Sequence, residues 1–176
     1  MKPNIQLFCA TLLLGLLLGA CNLAATDDEA TESFSYTVQE EKQIIIDTTQ
    51  RQLGDSTRTL LQLSIEDGDK RLFTYNRSRK QPENVTDGGF SAYLYFQLPP
   101  HKQQFSYQDD ELTQINTYYR QSCFCRRLGA IPVSEGYIRG EQLSSSIWKV
   151  TALVQIDKGI EGISQIRFDD IFITKR

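Results

Sequence analysis

Few residues in this chain are spaced for covalent chemistry. The nucleophile-elbow pattern Gly-x-Ser-x-Gly, a phosphate-cradling glycine loop and His-Glu-x-x-His are all missing from the sequence. Its single histidine, His101, follows Pro99-Pro100 and reads as an exposed loop residue. A glycosidase-like carboxylate pair would have to come from Asp109-Asp110-Glu111 or Asp169-Asp170. The first reads as a solvated loop and the second as an irregularity in a strand. Asp67-Gly68-Asp69 echoes part of a calcium loop, but the other oxygen ligands and the closing glutamate are missing. A hairpin turn accounts for it better. The expectation is therefore a non-enzymatic domain with no catalytic residues, metal or cofactor.

Two cysteines pose a redox question. Cys123 and Cys125 stand two apart in Ser122-Cys123-Phe124-Cys125-Arg126. In an extended strand their Cα atoms lie about 6.6 Å apart, near the upper limit for a disulfide. A bridge there needs a bend or bulge, and two buried thiols are the equal alternative. Metal binding lacks partners nearby, because His101 is distant in sequence.

Binding chemistry is better represented. Tyr93 and Tyr95 fall on one face of the run Phe90 to Leu98, opposite Ala92, Leu94, Phe96 and Leu98. Exposed, they would present two rings side by side to a sugar or a protein; a second layer over them is the alternative. Lys70 to Lys80 holds Lys70, Arg71, Arg77, Arg79 and Lys80 with no acid. Arg77 and Arg79 could meet anionic polysaccharide or lipid head groups, against the plainer reading of solvated charges.

The elements that must carry these residues are strands. Period-two alternation of β-branched and aromatic residues dominates: Phe34, Tyr36, Val38; Leu61, Leu63, Ile65; Phe90 to Leu98; Trp148, Val150, Ala152, Val154, Ile156. Glu66 to Asp69 reads as a turn between Leu61–Ile65 and a return strand Leu72–Tyr75. Phe105 and Tyr107 suggest a short strand, and Leu112 to Arg127 alternates loosely. Only Ile45 to Leu53 leaves room for a helical turn. Gly136–Leu143, Trp148–Ile156 and Ile163–Thr174 predict a C-terminal meander. In its last strand Phe172 keeps register with Ile166 and Phe168 only if Asp170 points inward, and a bulge at Asp169-Asp170 would remove that conflict. The fold class is all-β: an antiparallel β-sandwich, with a small β-barrel as the alternative.

The N-terminus supplies an address. Lys2 is followed by an almost wholly apolar run, Ile5 to Ala20, the layout of a secretory signal peptide. The run ends in Leu18-Gly19-Ala20-Cys21, which resembles the lipobox of bacterial lipoproteins. The resemblance implies cleavage before Cys21, diacylglycerol on its thiol and further acylation of the new amino group, enough chains for stable membrane anchoring. Residues 1–20 are then the signal peptide, residues 21–33 a polar, acidic tether, and residues 34–176 a single β domain. Asn22 is not the aspartate that retains lipoproteins on the inner membrane, so the expected location is the cell envelope, on the outer membrane, with the side open. Cleavage removes Cys9 and Lys2, leaving 22 acidic side chains against one fewer than the 19 basic ones. Such a mild balance argues against nucleic acid. The expected function is non-catalytic binding of a glycan or envelope protein. A structural accessory subunit is the alternative, and an envelope enzyme comes third.

Overall fold

A computed structural model describes residues 31–53, 55–80, 89–123, 129–156 and 163–175. The signal segment, Cys21, most of the tether and Cys125 lie outside the described residues. The strands are β1 (Glu32–Gln39), β2 (Lys42–Leu53), β3 (Ser56–Asp67), β4 (Arg71–Arg79), β5 (Phe90–Leu98), β6 (Gln104–Gln108), β7 (Tyr118–Cys123), β8 (Ile131–Pro132), β9 (Gly136–Ser144), β10 (Ile147–Gln155) and β11 (Gln165–Lys175). A 3-10 helix, Asp109–Ile115, joins β6 to β7.

Nine strands form one mixed sheet in the order β6-β9-β10-β11-β1-β4-β5-β7-β8, curled into a half-barrel. The all-β class and the meander β9-β10-β11 are as the alternation predicts. Side chains at period two turn inward and make the core. Phe73 and Phe96 stack at 4.7 Å, Trp148 meets Phe73 edge-on at 5.2 Å, and Phe105 and Phe172 close around them. The 3-10 helix inserts Leu112 and Ile115, both buried, and packs against β5, β6 and β9. The curled sheet thus encloses packed aromatic rings.

A second, two-stranded sheet, β2-β3, covers part of the other face. Ile44 and Leu63 from this hairpin pack on Leu72 and Tyr95, with Ile46, Leu61, Tyr93 and Tyr118 around them. This is the layered arrangement expected of a sandwich, confined to one end of the large sheet. Three polar contacts pin the hairpin base: Ile44 N–H donates to Gln97 Oε1 at 2.8 Å, Ala130 N–H to the Leu61 carbonyl at 2.7 Å, and Arg120 Nη1 to the Leu63 carbonyl at 3.5 Å.

Several local expectations are corrected. Leu61–Ile65 pairs with β2, while Leu72–Tyr75 pairs with β1 and β5, so the Glu66–Asp69 turn links two sheets. Ile45 to Leu53 is strand. Asp109 to Ile115 is helical because Leu112 and Ile115, three apart, both point into the core, while Glu111 accepts from the Gln108 N–H at 3.1 Å. Glu32 and Ser33 belong to β1, opposite Arg79 and Ser78, two residues inside the span expected to be tether. Finally, β10 and β11 pair without interruption from Ile147↔Ile173 to Gln155↔Gln165. No bulge occurs at Asp169-Asp170, and Asp170 turns inward between Phe168 and Phe172.

Candidate functional site

The residues expected to bind are held by the fold itself. Tyr93 and Tyr95 do stack, at 5.7 Å and 7° between ring planes. The hairpin covers them, however, and Tyr95 is 6% exposed. Burial, and then the Tyr93 hydroxyl beside it, push Tyr95 up to about 12. An open pair of rings for sugar stacking is therefore not what β5 presents.

Arg77 is likewise committed. Its Nη2 and Nε reach Glu32 Oε1 and Oε2 at 2.7 and 3.2 Å, a two-point ion pair across β1 and β4. Hydrogen bonding from Arg77 holds the Glu32 carboxyl below its ordinary value. Arg79 is exposed beside them, and with Phe90 and Ile163 these residues line a cleft of about 80 Å³. The cleft is too small for a drug-sized ligand, whose pockets start near ~300 Å³. Arg71, from the same basic stretch, is 7% exposed: its Nε donates to Glu40 Oε1 at 2.6 Å and its guanidinium lies 4.7 Å from the Trp148 ring centre. The basic run is not one patch, because Arg71 lies at one end of β4 and Arg77 and Arg79 at the other, with Phe73 and Tyr75 between them on the same face.

The acid-rich turns behave similarly. Glu40, Glu41, Asp67 and Asp69 line an open depression with Lys42, Lys70 and Pro100. Lys42 pairs with Asp67, Lys70 with Asp69 at 3.1 Å, and Arg71 with Glu40. The cations present offset three of the four carboxylates. Among the described residues no group of His, Cys, Asp or Glu is placed to hold a metal ion. Cys123 ends β7 opposite Phe90, and Cys125 lies outside the described residues, as do Arg126 and Arg127.

A surface not foreseen from the sequence lies on the outer side of the meander. Leu143, Ile147, Ile171 and Ile173 are 56, 38, 37 and 58% exposed. Ile147 stands directly opposite Ile173, Ile171 is one step along opposite Lys149, and Leu143 falls at the register shift between β9 and β10. The hairpin covers β4, β5 and β7 and leaves these strands open. Next to the isoleucines a cleft of about 270 Å³ is lined by Gln104, Ser106, Arg139, Glu141, Lys149 and Thr151. Lys149 Nζ binds Asp169 Oδ1 at 2.9 Å, Thr151 Oγ1 donates to the same carboxylate at 2.8 Å, and these bonds hold the Asp169 carboxyl below its usual value. Gly140 sits beneath the cleft because Phe105 crosses it: a Cβ there would stand 2.7 Å from the ring and 2.8 Å from the Lys149 carbonyl oxygen.

The result is an exposed apolar strip with a charged margin. A signal for it was present in Ile171-Phe172-Ile173, which is apolar on both faces of one strand. Compared with protein-family models, curated proteins and solved structures, the chain matches none.

Proposed function

We propose that this chain is an envelope lipoprotein whose β domain binds a protein partner without catalysing a reaction. The lipobox-like Leu18-Gly19-Ala20-Cys21 supports the anchor. The observation that carries the binding role is the uncovered strip Leu143, Ile147, Ile171 and Ile173 beside the Lys149–Asp169 margin. Single exposed apolar side chains are ordinary; four on adjoining strand positions of one face are the mark of a contact surface. The aromatic filling of the half-barrel favours this over a ligand held inside the sheet. A protein is favoured over a glycan because the open face offers branched aliphatic groups, where sugars stack on rings.

The test uses the full chain expressed in a diderm bacterium. Cross-linking and pull-down with the wild type should retain an envelope protein that Ile147→Lys and Ile173→Lys both release, while neither change alters thermal unfolding. Retention by both variants, or capture of an oligosaccharide from an array in its place, overturns the protein-binding reading. Separately, Cys21→Ala should move the protein out of the membrane fraction, and continued membrane association of that variant removes the lipid anchor.

A further inference from the structure

The β2-β3 hairpin is longer than its docking site. Its base packs through Ile44, Ile46, Leu61 and Leu63, but Asp47–Gln52 and Asp55–Thr59 are exposed residue after residue, on both faces. At about 3.4 Å per residue the free part extends about 20 Å from the body. A two-stranded ribbon bare on both sides is marginal in water. This one carries an added conflict, because Arg51 lies directly opposite Arg58. Like charges at facing positions destabilise a ribbon. Among the described residues neither arginine has an ion-pair partner, and neither does Asp47, which shares their face of β2.

The free edge of β2 can be read from its hydrogen bonds. Ile44 N–H points away from β3, since it donates to Gln97 Oε1. In an antiparallel pair the outward groups alternate, so those of Ile46, Thr48, Gln50 and Gln52 also point outward. On β3, Leu61 opposite Thr48 shows the same sense, because its carbonyl accepts from Ala130 on the outer side. From Thr48 to Gln50 the outward edge of β2 has no backbone partner among the described residues. Exposed edges of this kind pair with other strands unless blocked.

We propose that the arm joins two copies of this chain, edge to edge through β2, about a two-fold axis at Thr49. In that register Thr48 of each copy faces Gln50 of the other, so the outward amides and carbonyls meet. Asp47 of each copy then faces Arg51 of the other on the same side of the ribbon. Two ion pairs form, one for each charge, and Arg51 gains an acid on the side away from Arg58. Shifting the axis by one residue sets Arg51 against Thr49 or Ile45 and loses both ion pairs. Charge therefore selects one register from those the hydrogen bonds allow. A closed two-fold contact of this type buries its own edges and does not propagate.

Sedimentation of the full-length chain in detergent should show a concentration-dependent dimer. Asp47→Arg and Arg51→Asp each set like charges face to face, and each should weaken the dimer about tenfold. The double variant Asp47→Arg/Arg51→Asp should recover it. Both positions are exposed in the free arm, so neither change touches the core. Thr49→Cys should form a reducible covalent dimer, and Thr59→Cys, on the other strand of the arm, should not. A monomer at every concentration, failure of the double variant to recover, or tighter association in Asp47→Arg overturns the proposal. The last result would assign the Arg51–Arg58 face to an anionic occupant.

Discussion

The hydroxyl of Tyr36 on β1 lies beside the carboxylate of Asp170 on β11, near the parallel pair that joins the two strands. Around them Tyr36 also meets Phe168 and Phe172 edge-on at 5.7 and 5.3 Å, and Tyr75 at 5.6 Å. A carboxylate on the inner face of the sheet is tolerated because the Ile171 N–H donates to it at 3.0 Å and the Tyr36 hydroxyl stands beside it. Tyr36→Phe should cost about 1–2 kcal/mol in urea unfolding, since it takes the hydroxyl away from the acid. Asp170→Leu should offset most of that loss in the double variant, because both polar groups then leave together. Equal and additive losses would show that the two side chains do not interact.

Alkaline stability follows from the tyrosines. Burial, then the Asp170 charge and its hydrogen bond, push Tyr36 up to about 12. Tyr95 is also pushed up to about 12, and Tyr75 is raised chiefly by burial. A folded value above the unfolded one, near 10, means the folded state holds its proton longer. Stability from these groups is complete below pH 10 and is lost as pH rises from about 10 toward 12. The ultraviolet titration of phenolate should show a late fraction that coincides with unfolding. Removing Tyr36 and Tyr95 as phenylalanines should shrink it.

Docking of the hairpin can be followed through Tyr95. Leu63→Ala removes apolar contact from the small core with Ile44, Leu72 and Tyr95, and the expected cost is about 2–4 kcal/mol if the site does not collapse. Amide exchange in β2 and β3 should accelerate more than in β10, and Tyr95 should ionise nearer the ordinary tyrosine value. Uniform acceleration over all strands would mean that hairpin and large sheet open together.

Gly140→Ala should destabilise the domain by about 1–3 kcal/mol, because the new methyl meets the Phe105 ring and the Lys149 carbonyl. Phe105→Leu in the same chain should recover part of the loss by clearing the ring, and thermal unfolding of the two variants side by side measures it. No recovery would place the conflict at the carbonyl.

The clearest strands were legible because their inner faces are apolar throughout. Phe90–Leu98 has the same bounds in the sequence pattern and in the fold, and Trp148 to Ile156 is buried at every second residue. Pairing was less legible. Leu61, Leu63 and Ile65 alternate equally well for a partner on either side, and nothing local says that β3 turns back on β2. The helix was hidden because Ile115, Thr117 and Tyr119 alternate as a loose strand. Asp170 defeats pattern reading altogether, since its partner Tyr36 is at the other end of the chain. The uncovered apolar strip was readable in principle from Ile171-Phe172-Ile173, but which face a second layer covers is decided by the hairpin.

The seam between β1 and β11 sets an order of events in time. One half of the large sheet hangs on β1, the other on β11, and they meet over Thr37–Gln39 and Ile173–Lys175. The earliest and latest strands of the domain must therefore find each other before either half has its full set of neighbours. Such distant closure is slow. A chain emerging N-terminus first meets the outer neighbour of β1 only when Gln165–Lys175 is available, and until then that edge of β1 has no strand beside it.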